Sequence, residues 1–271
     1  MVNWSEVSRD LTKILKLKCY PVAVKLFSKL EDVPKEARKP RDKITVCQFV
    51  SLAKNYGWIL SGTAENIVCA YGASNLGLAT LPEDMKSGER AVKVYAEDIE
   101  TTRKIAEKVP KIETGKFSAF MVSPLEKSPT DPDVILVPGN SAQMMRLILG
   151  ITWKKEFDGR LYFSSAAHCG VCGDGIAAVY TLNKPHLGIP CYGARSFALF
   201  QDDELVMGIP AGVVEAVLEG LRKTHEVYMG YPITPTNLPL TPPAAWLYPV
   251  MFEKPPENWK ERLLKAPREI L

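Results

Sequence analysis

The cysteines of this 271-residue chain are the feature that most restricts its fold, because only one pair is close in sequence and the rest are far apart. Cys169-Gly170-Val171-Cys172 is the close pair, while Cys47, Cys69 and Cys191 stand singly in glycine-rich or helix-start surroundings. Thiolate sites for zinc or iron take four ligands, which one pair cannot supply. If these sulfurs serve one centre, the fold must carry separate segments to a common point. A lone Cys-x-x-Cys is shared by zinc ribbons, redox dithiols and clusters, and a second such pair, which would favour zinc, is missing. The plain alternative is a set of small buried thiols in a tightly packed region. Gly72, Gly170, Gly173, Gly188 and Gly193 weigh against it, since their backbone N–H groups can approach cluster sulfurs with no side chain in the way. Cys19, in Lys18-Cys19-Tyr20, lies at a helix-to-strand junction and reads as a small buried apolar residue.

Compartment decides how such thiols are used. The N-terminal Met1-Val2-Asn3-Trp4-Ser5-Glu6 lacks the basic-then-apolar order of a secretory signal, and no apolar run nears the roughly 20 residues of a membrane span. A cytoplasmic protein with no membrane partner is expected, where metal binding and thiol chemistry outrank structural disulfides. Glutamine is confined to positions 48, 143 and 201 while Lys, Glu and Pro abound, a thermophile-like balance that keeps disulfides open. The net charge is +3, with acids and bases intermixed as in Glu97-Asp98-Ile99-Glu100 before Arg103-Lys104, so nucleic acid is not an expected partner.

Periodicity predicts an α/β or α+β fold, a mixed sheet flanked by helices, in one domain over residues 1–229 with an extended Pro-rich arm over 230–271. Helices are expected over 5–18, 47–55, 99–108, from Asn140 through Leu149, and over 212–222; strands over 20–27, 117–122, 134–137 and 161–163. The order strand, Pro138-Gly139-Asn140, helix suggests an α/β crossover, and Phe197–Phe200 with Glu204–Met207 a hairpin around Gln201-Asp202-Asp203. In the arm, Pro232, Pro235, Pro239, Pro242, Pro243 and Pro249 alternate with Trp246, Tyr248 and Phe252, too aromatic for a solvated tail. It is expected to pack on its own domain or across a homodimer.

Two residues beside the thiols could serve a cofactor. Arg195, four residues after Cys191, could offset thiolate charge or hold an anionic substrate, or else form an ordinary ion pair. His168 precedes Cys169 and suits a hydrogen-bonded neighbour better than a ligand; it lies on the wrong side for haem attachment. Asp202-Asp203-Glu204 reads as a solvated turn rather than a cation site, and no phosphate-binding glycine motif is present.

The segments Pro21-Val22-Ala23-Val24-Lys25-Leu26, Val46-Cys47-Gln48, Cys69-Ala70-Tyr71-Gly72, Val171-Cys172 and Pro190-Cys191-Tyr192-Gly193-Ala194-Arg195 before Asp202-Asp203-Glu204 resemble the archaeal Cys-rich family called domain of unknown function 169, over about residues 10 to 225 as one domain. The family is uncharacterised, so the resemblance implies no reaction. It implies ligand positions at Cys47, Cys69, Cys172 and Cys191, with Cys169 an addition of this chain. The expectation is therefore an iron-sulfur protein, of 4Fe-4S type, with Arg195, Gly193 and His168 about the cofactor and a redox partner protein or small-molecule substrate. A structural zinc module and a Cys169/Cys172 thiol oxidoreductase are the alternatives.

Overall fold

The structure is a computed structural model that describes residues 2–154, 168–227 and 229–233. Its first helix, α1 (Trp4–Leu15), starts where Asn3 accepts the Glu6 N–H and buries Val7, Leu11 and Leu15, one turn apart. Lys16 ends it in the left-handed region, short of the expected Lys18. The chain then runs through β1 (Val22–Phe27), α2 (Val46–Tyr56), β2 (Leu60–Gly62), α3 (Ala70–Asn75), α4 (Glu83–Lys86), α5 (Ile99–Lys108), β3 (Ala119–Pro124), β4 (Val134–Gly139) and α6 (Ser141–Ile151). After residue 168 come a π-helix (Gly170–Ala178), α7 (Val179–Leu182), β5 (His186–Gly188), α8 (Tyr192–Ala198), β6 (Leu205–Pro210) and α9 (Val214–Glu226). Among the described residues no helix is long and apolar enough to cross a membrane.

The six strands form one sheet in the order β2-β3-β1-β4-β6-β5, and each ladder is antiparallel. The α+β expectation is the one the fold takes. The crossover expected after β4 is not made, because β4 runs antiparallel to both β1 and β6. The strand is apolar throughout because both faces of the sheet are covered: Val134 and Leu136 face one core, Ile135 and Val137 the other. The second core holds α1, α6 and α9; the first holds α2, α3, the π-helix and all the cysteines but Cys19.

The expected hairpin is corrected. Phe197 and Ala198 end α8, and β6 pairs with β4 and β5. Ala194 and Ala198, four apart, are buried while Phe197 is exposed, so this run follows a helical rather than a strand period. Asp202 and Asp203 are exposed as expected, but Glu204 is buried against Lys54. The strand expected at 161–163 and the arm beyond residue 233 lie outside the described residues.

Candidate functional site

Four segments deliver cysteines to one region of the first core, each from the start of a helix. Cys47 is the second residue of α2, whose entry is fixed by a capping box: Gln48 N–H donates to Thr45 Oγ1 at 3.1 Å and Thr45 N–H to Gln48 Oε1 at 2.8 Å. Cys69 and Cys191 are the N-cap residues of α3 and α8. Cys172 lies in the first turn of the π-helix, and Cys169, its N-cap, adopts the left-handed conformation at φ 54°. All six cysteines are free thiols.

Cys47 is the hub. Its thiol reaches both Cys172 and Cys191, and donating to them keeps its own pKa far above normal, with burial adding to the effect. Cys172 is held well below the usual thiol value by hydrogen bonds from Cys169 and Cys47, and Asn75 Nδ2 adds a third donor 3.5 Å from its sulfur. Cys191 falls to about 6, first through Cys47 and then through the backbone N–H groups of Ala194 and Cys169, against the opposing effect of burial. Cys169 keeps its proton by donating to Cys172. Burial, and then repulsion from Cys172, raise the Cys69 thiol, although the N–H groups of Gly72 and Tyr71 face its sulfur. The arrangement concentrates negative charge on Cys172 and Cys191. Among the described residues no set of three or more His, Cys, Asp or Glu side chains is drawn around a single-ion position.

The remaining sequence-predicted residues fall differently. His168 is buried with its ring between Tyr95 and Tyr71, at centroid distances of 3.6 and 5.3 Å, and burial lowers its pKa, so it is neutral. Its Nε2 and the Tyr71 hydroxyl are buried and have no hydrogen-bond partner among the described residues. Arg195 turns away from the thiols and donates to the carbonyls of Gln201 and Glu204, stapling the loop before β6. Gly193 is open, since among the described residues a Cβ there would meet only Phe197, at 3.9 Å. Gly170 and Gly188 have another purpose than facing sulfur: they let the π-helix backbone press on the Gly188-Ile189 backbone, where a Cβ on either would collide with a carbonyl.

Cys19 stands apart, its electrostatic neighbours being Lys54 and Glu204, and burial pushes its thiol up to about 11. Sequence reasoning missed the buried Lys54–Glu204 ion pair, with Lys54 Nζ 4.2 Å above the Phe200 ring, and it missed Asn75. Neither carries a sequence signal, since the partners are 150 and 97 residues apart.

Comparison with known proteins agrees with the cysteine-bearing region. A family model for domain of unknown function 169, described as uncharacterised ArCR, matches residues 10–220. An uncharacterized protein of Methanocaldococcus jannaschii is 26% identical over 225 residues, covering 82% of this chain and 95% of its own length. No solved structure matches. With its cysteine-bearing core inside the matched region, the chain belongs to the uncharacterised archaeal Cys-rich family, domain of unknown function 169.

Proposed function

We propose that Cys47, Cys69, Cys172 and Cys191 hold an iron-sulfur cluster of 4Fe-4S type in a redox or substrate-activating protein. The observation that carries this reading is the meeting of thiols from four segments at helix starts, where backbone N–H groups and the Asn75 amide face the sulfurs. Such donors are the usual partners of cluster-ligating thiolates. The donor set fits the group: all sulfur, mostly buried, with two thiols already biased toward the charged form. The Tyr71 hydroxyl, whose pKa is raised by burial and then by Cys169, has no hydrogen-bond partner among the described residues and lies close enough to feel the thiols. A bound cluster would supply one-electron transfer or an iron position that polarises a substrate.

The protein residues have separable tasks in this reading. Asn75 and the helix-start N–H groups neutralise sulfur charge, while Tyr71 and His168 close the site with apolar ring faces. Ile189 and Tyr192, which flank Cys191 and are 49% and 80% exposed, offer apolar surface to a redox partner or a second copy. The reading places the protein in the reducing cytoplasm.

A zinc site is the second reading, favoured by the direct approach of Cys47 to Cys172 and Cys191. Zinc–sulfur bonds of about 2.3 Å put sulfurs roughly 3.8 Å apart, near hydrogen-bonding distance. The Cys169–Cys172 contact likewise keeps a thiol oxidoreductase as the third. Anaerobic purification followed by iron, sulfide and zinc analysis tests all three. Iron with acid-labile sulfide and broad visible absorption is expected; colourless protein with one zinc per chain would overturn the cluster.

A further inference from the structure

Helices α2 and α8 pack side by side, and an apolar groove of about 290 Å³ lies between their outer faces. Leu52, Tyr56, Trp58, Phe197 and Leu199 line it. Trp58 is 53% exposed, Leu199 55% and Phe197 66%, and the tilted Tyr56 and Trp58 rings stand 6.3 Å apart. Contiguous exposed apolar surface of this kind marks a binding face.

Two observations indicate what covers it. Tyr56 and Leu199 also line a second cavity of about 440 Å³, whose far wall includes Asn140. Asn140 Nδ2 donates to the Tyr231 hydroxyl at 3.2 Å, so the chain after α9 is tied down where that cavity begins, and the described residues end two positions later at Ile233. The sequence that follows contains Pro235, Pro239, Pro242 and Pro243 and then Trp246-Leu247-Tyr248-Pro249. Proline-rich segments bind aromatic-lined grooves because their extended conformation is preformed and loses little entropy on docking.

We propose that the groove between α2 and α8 is the docking site of residues 234–249 of the same chain. Reach is not limiting: sixteen extended residues span about 50 Å at ~3.1 Å each, against roughly 16 Å for the length of α2. Ile44 and Gln48 line the far end of the groove, so the docked segment runs toward the helix turn that carries Cys47. The proposal does not depend on which metal, if any, the thiols hold.

The test uses the full chain with the photo-crosslinker benzoylphenylalanine at Phe197 and, separately, at Trp58; both positions are exposed, so the core is undisturbed. After irradiation, mass spectrometry is expected to find adducts to peptides within residues 234–256, at monomer mass. A full-length variant carrying Trp246→Ala and Tyr248→Ala should lower the adduct yield roughly tenfold, the order expected for losing two aromatic anchors. The proposal is overturned by adducts to other segments only, by adducts at dimer mass, by an unchanged yield in the double variant, or by no adduct from either position.

Discussion

The side-chain amide of Asn75 donates to the sulfur of Cys172 at 3.5 Å, joining the end of α3 to the first turn of the π-helix. A donor on a ligating sulfur favours the more negative, reduced state of a cluster. Asn75→Leu keeps the volume and removes the donor. With about 1 kcal/mol lost, the midpoint potential of the proposed cluster should fall by roughly 40 mV, as 59 mV corresponds to 1.4 kcal/mol for one electron. Voltammetry of the reconstituted protein checks this, and an unshifted potential at unchanged iron content would show that the amide does not act on the centre.

Individual thiols should differ in consequence. Cys172→Ser removes the most strongly stabilised thiolate and should lower metal content more than Cys169→Ser, whose thiol stays protonated. Cys19→Ser should leave metal content at the wild-type level, because its neighbours are Lys54 and Glu204. Metal per chain for the three variants decides the ranking. Equal loss in Cys169→Ser and Cys172→Ser would mean that both sulfurs bind.

The Lys54–Glu204 pair is buried on both sides, at 3% and 10% side-chain exposure. Lys54→Met leaves the Glu204 carboxylate without its cation and should destabilise the fold by about 3–5 kcal/mol, whereas Lys54→Met combined with Glu204→Leu should recover much of it. Urea unfolding of the single and double variants measures the difference. A double variant as unstable as the single one would mean that packing, not the stranded charge, sets the cost.

Cys19 gives a pH signature. Its thiol titrates near 11 in the fold and at 9.0 ordinarily, so at pH 8 iodoacetamide should label it about a hundredfold more slowly than a free thiol. The shift is upward, so its contribution to stability is whole below pH 9 and is lost as pH rises through 11. A labelling rate against pH with its midpoint near 9 would contradict the burial argument.

Much of the fold was legible because local signals and tertiary needs agree. Asp98 caps α5 where the helix was expected to start, and the unbroken apolar run of β4 reflects two covered faces. Cys47 was legible as a helix start, whereas the helices that begin at Cys69, Cys169 and Cys191 were not, since the glycines and small residues around those cysteines carry little helical signal. Direction was not. Arg195 shares a helix with Cys191, yet its side chain points to the carbonyls of the loop behind, a choice made by neighbours six and nine residues on. Phe197–Phe200 misled because a short apolar run fits either period until its burial partners are known.

The glycine contacts fix one part of the thiol site against the sheet. Gly170 against Ile189, Gly188 against Gly170, and Gly208 against Gly175 leave no room for a methyl group, so the π-helix is seated backbone to backbone on β5 and β6. Cys169 and Cys172 therefore inherit the rigidity of the sheet. Cys69 and Cys191, half-buried, stand at the tips of short helices. Anything these thiols bind would meet the sheet-backed turn of Cys172 on one side and the helix tips of Cys69 and Cys191 on the other.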